Sequence, residues 1–85
     1  MPTRTIVVGA SVGLHVRPAQ LIAEAVEELG VDVLIGLPGE EPVDASSPLL
    51  IMTLGAGPGD RVEISADDPA TLDAVAALVE RDLDL

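Results

Sequence analysis

The 85-residue sequence contains no cysteine, no lysine and no phenylalanine, tryptophan or tyrosine. Without cysteine it can build neither a disulfide framework nor a thiolate metal site or nucleophile. Without aromatic rings its core must be aliphatic, made of Val, Leu, Ile and Ala in close contact. Positive charge is scarce: four arginines face fifteen carboxylates, for a formal net charge of -11. Such a surface repels nucleic-acid phosphates and anionic lipid, so neither is expected as a partner, and the acids serve solubility. The longest apolar runs, residues 33–37 and 49–54, fall far short of a membrane span, and the N-terminus shows no signal-peptide apolar region. A cytoplasmic chain without membrane insertion is expected.

Hydrophobic residues make up 48% of the chain. At this length they suit one domain over residues 1–85, with a modest core. Thr3 to Val8 read as a strand, with Ile6 and Val8 on one side and Thr5 and Val7 on the other. From Val16 to Leu29 the positions Ile22, Ala25, Val26 and Leu29 form an apolar stripe opposite Gln20, Glu24, Glu27 and Glu28, a helix that Gly30 stops. Val31, Val33, Ile35 and Leu37 alternate as the inner face of a second strand, and the run Pro38 to Pro42 turns the chain. Val43 to Ala45 leave room for a short third strand. Ser46-Ser47-Pro48 puts a hydroxyl cap before a first-turn proline, opening a short helix to Leu54. After the turn cluster at residues 55–60, Val62, Ile64 and Ala66 alternate as a fourth strand. Asp68-Pro69 then opens a last helix with Leu72, Val75, Ala76, Val79 and Leu83 on its apolar stripe and Asp73, Glu80, Arg81 and Asp84 facing away. The order β-α-β-β-α-β-α, with one apolar stripe per helix and single-sided strands, predicts a two-layer α+β sandwich. Its sheet is mostly antiparallel, with one face covered and the other wet.

His15, the only histidine, falls where the loop Ser11-Val12-Gly13-Leu14 meets the first helix. A helix start carries unpaired N–H groups and a partial positive charge, which together suit an anion. Pro18 costs nothing there because first-turn N–H groups have no helical partner. Arg17 adds a fixed cation whose fork matches phosphate oxygens. An imidazole so placed can act as a nucleophile whose phosphorylated product is stabilised by its surroundings. On physical grounds alone a lone histidine at a helix start also reads as an ordinary surface residue.

The segment Gly13-Leu14-His15-Val16-Arg17-Pro18-Ala19 resembles the active-site signature of the HPr family, the histidine-containing phosphocarriers of the bacterial phosphoenolpyruvate-dependent sugar phosphotransferase system. Asp44 to Gly55, reading DASSPLLIMTLG, is similar to that family's second-helix segment, and length, element order and the spacing between the two motifs agree. The resemblance implies an open-faced β-sandwich: a four-stranded antiparallel sheet covered on one face by three helices. It implies that enzyme I, phosphorylated from phosphoenolpyruvate, passes the group to Nδ1 of His15, and that a IIA component of a sugar permease receives it. By position, Arg17 steadies the phosphoryl group, with the backbone N–H groups of Val16 and Arg17 as further donors. Exposed apolar residues of the second helix, Leu49 and Met52, are then the docking surface, on a helix too short to bury all its apolar residues. Ser47 aligns with a serine that an HPr kinase phosphorylates in some branches, although a helix cap explains it as well.

Two features depart from the family. Pro48 follows Ser47 directly with Ser46 beside it, and relatives often carry lysines around the site, whereas here Glu24, Glu27 and Glu28 line the first helix and the chain has no lysine, so the partner's surface must differ. Phosphoryl transfer by such a carrier is position and charge stabilisation, so no cofactor or metal is expected and the chain is an intermediate rather than a stand-alone enzyme. Residues 55–59 lack the Lys-Ser/Thr of a phosphate-binding P-loop and are a turn. Asp67-Asp68 lacks the spacing of a calcium loop. A monomer is the simplest state for a carrier that shows one face to successive partners. The alternative readings are a specialised paralogue in a nitrogen-related or dihydroxyacetone relay, a regulatory adaptor switched at Ser47, and a small-molecule-binding domain, which the missing aromatic lining disfavours.

Overall fold

The computed structural model describes residues 2–9 and 13–81. Seven elements follow one another: β1 (Thr3–Val7), α1 (Val16–Leu29), β2 (Val33–Gly36), β3 (Val43–Asp44), α2 (Pro48–Thr53), β4 (Arg61–Ala66) and α3 (Pro69–Glu80). The strands form one sheet in the order β1-β4-β2-β3, every neighbouring pair antiparallel. This is the expected α+β open-faced sandwich, with its expected element order.

Alternation decides which face of the sheet is buried. Ile6 lies opposite Val62, and Ile35 opposite Ile64. These four, with Val33 and Ala66, are buried under the helices. Their neighbours Thr3, Thr5, Val7, Arg61, Glu63, Leu34 and Ser65 occupy the other face, which stays open and holds a Thr3–Ser65 hydroxyl hydrogen bond of 2.9 Å. Val7 is 51% exposed there.

α1 buries Pro18, Ala19, Ile22, Ala23 and Val26. The small residues let the helix approach the sheet closely, so the true stripe lies nearer the N-terminus than the expected one. Ala25 is only half-buried and Leu29 is 43% exposed, because the last turn has left the packed layer. Val31 is likewise exposed: β2 begins at Val33, where pairing with Ala66 starts, and Leu37 lies past its end, half-buried against the core. α3 buries Leu72, Val75, Ala76 and Val79 as expected; Leu83 and Asp84 lie outside the described residues, as do Ser11 and Val12 of the loop before α1. Asp68 caps α3, its carboxylate accepting the Thr71 N–H at 3.2 Å and the Thr71 hydroxyl at 3.0 Å, which satisfies the one buried polar residue among those described.

Past the end of β1 the chain presses against α3. The Gly9 N–H donates to the Val79 carbonyl at 3.0 Å, and a Cβ on Gly9 would collide with the Glu80 carbonyl, so no larger residue fits without moving the backbone. Among the described residues no helix is long and apolar enough to cross a membrane.

Candidate functional site

α1 starts at an exposed corner. His15 is its N-cap, with extended backbone (φ -87°, ψ -169°), and its carbonyl accepts the Ala19 N–H at 2.9 Å. The imidazole makes no capping hydrogen bond and lies exposed. Within the first turn Pro18 has no N–H, so the donors left over are those of Val16 and Arg17, neither bonded to any described residue. Arg17 is exposed, and the ion pair found among the described residues, Arg4 with Asp73, does not involve it. An open ring, two free N–H groups and an uncommitted guanidinium thus share one turn of chain. No acidic residue occupies that turn. The arrangement can hold a tetrahedral dianion on the ring without borrowing any group from the core.

What fixes the ring's place is the chain just before it. The Leu14 side chain is buried, and its N–H donates to the Ala56 carbonyl at 2.9 Å. Gly13 has φ +78°, and a Cβ on it would meet the Ala56 oxygen at 2.6 Å and the Gly57 Cα at 2.8 Å. Only glycine lets the strand of chain lie so close to the turn at residues 55–60. Leu14, His15, Met52, Gly55, Ala56 and Gly57 together line a shallow depression. That turn carries no motif of its own, and the sequence showed it only as a turn.

α2 stands beside α1. Its cap is Ser47, whose hydroxyl accepts the Leu50 N–H at 3.3 Å, with Pro48 in the first turn. Just upstream, the Asp44 carboxylate accepts the Ser46 N–H at 2.9 Å and the Ser46 hydroxyl at 2.7 Å, and these bonds hold its carboxyl below the ordinary value of 3.8. Only Ile51 of this helix is fully buried. The two expected docking residues differ: Leu49 is 68% exposed, whereas Met52 is half-buried against the core and lines the depression beside His15. Leu50 and Val16 are exposed apolar residues as well, on α2 and at the start of α1.

Other concavities lie elsewhere. One is lined by Gly30, Val31, Asp32, Asp67 and Asp68, another by Glu24, Glu27 and Glu28. Their carboxylates repel a phosphoryl group. Among the described residues no set of three or more His, Asp or Glu side chains is placed to hold a metal ion.

Comparison with known proteins gives one answer. Residues 2–81 match the family model described as the PTS HPr component phosphorylation site. The chain is 36% identical to the phosphocarrier protein HPr of Streptomyces coelicolor, over 99% of this chain and 94% of that one. It is 26% identical to the phosphocarrier protein NPr of Klebsiella oxytoca, over 89% of this chain and 84% of that one. Among solved structures, HPr from Thermoanaerobacter tengcongensis superposes with a TM-score of 0.82 at 30% identity, covering 94% of this chain and 92% of its own.

Proposed function

The chain belongs to the HPr family of phosphocarrier proteins of the phosphotransferase system, and from that premise we propose that it takes a phosphoryl group from phosphorylated enzyme I onto His15 and passes it to a IIA component serving sugar uptake. The observation that carries the reading is the open His15 ring at the start of α1, next to the free N–H groups of Val16 and Arg17 and the uncommitted Arg17 side chain.

In the exchange, the lone pair of His15 Nδ1 attacks the phosphorus of the group held on the donor. The new N–P bond forms as the donor's bond to phosphorus breaks, and the donor atom leaves with the bonding pair. The His15 ring keeps the proton on its other nitrogen, and the electron pair returned to the donor balances the pair spent in the new bond. The second transfer repeats the first with the acceptor as nucleophile. Arg17 and the two N–H groups offset the charge of the group while it rests on His15. Because the partners bring their own catalytic surroundings, no cleft is needed, and an open ring suits two partners that approach in turn. Leu49 and Met52, with Leu50, form the apolar ground on which both dock. The protein works in the cytoplasm as a monomer. A kinase acting on Ser47 would place a dianion at the cap of α2, beside Leu49, where its charge opposes docking.

The test is transfer of label from phosphoenolpyruvate through the host's own enzyme I to wild type and His15→Ala. Acid-labile label on wild type alone is expected. An unlabelled wild type beside a demonstrably active enzyme I ends the reading, and an ATP-dependent, acid-stable label at Ser47 would move the chain to the adaptors. The likeness to an NPr protein favours a second reading, a nitrogen-related relay. It is distinguished by which purified IIA component accepts the phosphate.

A further inference from the structure

The geometry points to Asp60 as a positioning residue for His15, acting through the turn at residues 55–60; the inference rests on the phosphocarrier reading above. The turn contains Gly55, Gly57 and Gly59, a sequence with much conformational freedom to lose. One carboxylate closes it. Asp60 Oδ2 accepts the Gly57 N–H at 2.8 Å, and the Asp60 N–H donates to the Gly57 carbonyl at 3.1 Å. The closed turn is then fastened to the end of β1. The Val8 N–H donates to the Asp60 carbonyl at 2.8 Å, and the Gly59 N–H to the Val8 carbonyl at 3.1 Å.

On its other side the same turn presents the Ala56 carbonyl to the Leu14 N–H at 2.9 Å, one residue before His15. Gly13 packs directly onto that carbonyl and onto Gly57. A path of hydrogen bonds and single peptide links therefore runs from the sheet through Asp60 and Gly57 to Ala56 and Leu14, the residue just before the one that bears the ring. If the carboxylate is removed, Gly57 loses its side-chain clamp, and the carbonyl that anchors Leu14 gains freedom. Leu49, in the first turn of α2 and away from the junction of that helix with the turn, is not on this path, so docking through it should survive while the ring's aim is lost.

The experiment compares wild type, Asp60→Ala, Asp60→Asn and Gly13→Ala. Asparagine keeps an acceptor oxygen for the Gly57 N–H and serves as the rescue; Gly13→Ala disturbs the same contact from the opposite side. Three measurements are made on each: the melting temperature and amide hydrogen exchange at Leu14 in the free protein, and kcat and KM for phosphoryl transfer from phosphorylated enzyme I. For Asp60→Ala we expect exchange at Leu14 and a fall in kcat each of about tenfold, with KM changed less than about twofold, the pattern of lost alignment rather than lost binding. Gly13→Ala should do the same, and Asp60→Asn should remain within about twofold of wild type. The assignment is overturned if Asp60→Ala lowers only the melting temperature, or if Asp60→Asn falls as far as Asp60→Ala. Should Asp60→Ala not fold, Gly13→Ala and Asp60→Asn decide the matter, a wild-type Leu14 exchange and kcat in Gly13→Ala counting against the path. If wild type accepts no phosphate at all, the phosphocarrier reading fails, whereas the exchange measurement still tests the hold of Asp60 on Leu14.

Discussion

Arg17 is free in the folded chain, and that freedom sets what its loss should do. A guanidinium with no structural partner can be removed without leaving a buried charge, so Arg17→Ala should fold like wild type. Its effect should appear in the chemistry. We expect transfer through His15 to slow by about tenfold, since a charge-assisted contact to the phosphoryl oxygens is lost while the two N–H donors remain. Arg17→Lys should recover part of this, a point charge replacing a two-pronged donor. Rates of acid-labile labelling measure both variants, and an Arg17→Ala protein as fast as wild type would make the side chain a bystander.

Among the helices, α2 has the least holding it. Ile51 is its single fully buried residue, so Ile51→Ala should cost about 3 kcal/mol, the usual range for a buried aliphatic truncation. Amide exchange within residues 48–53 should quicken more than that within α1 or α3. The segment leading into α2 has a pH dependence of its own. Because the Asp44 carboxyl is held below 3.8 by its bonds to Ser46, that contribution to stability is fully present above pH 3.8 and is lost as pH falls through the lowered folded value. Denaturant midpoints taken between about pH 5 and 2 should show a drop at the acid end that Asp44→Asn reduces. The sequence made these elements legible because caps and alternation are local: Ser47-Pro48 and Asp68-Pro69 announced two helix starts, and Val62, Ile64 and Ala66 announced a buried strand face. It misplaced Leu29 and Val31, which continue a local pattern beyond the point where the partner layer ends. That end is set by the pairing of Val33 with Ala66, a contact between distant residues. The site divides the same way. His15, Arg17 and the two donors follow from one heptapeptide, whereas the part played by residues 56–60 depends on a turn folding back upon a loop more than forty residues earlier.

Across the whole molecule the dominant fact is self-repulsion. Fifteen carboxylates and four arginines share a body of 29 × 27 × 20 Å, and the Arg4–Asp73 pair, exposed on both sides, relieves little of it. At about 0.01 M salt the screening length is roughly 30 Å, so every charge acts on every other; at about 1 M it is roughly 3 Å, and only neighbours interact. The melting temperature followed by circular dichroism should therefore rise steadily with sodium chloride, and a flat response would show that the acids are spaced too widely to matter. The exposed ring of His15 has a consequence of a different sort, which is about time. Among the described residues nothing shelters a phosphoryl group there from water, so on the proposed role each charged molecule carries a clock. With a partner at about 1 μM and ordinary association rates, a meeting takes roughly 0.1 to 10 s. A bond that outlives such a wait delivers its cargo, and the cell sets the odds through how crowded it is with acceptors.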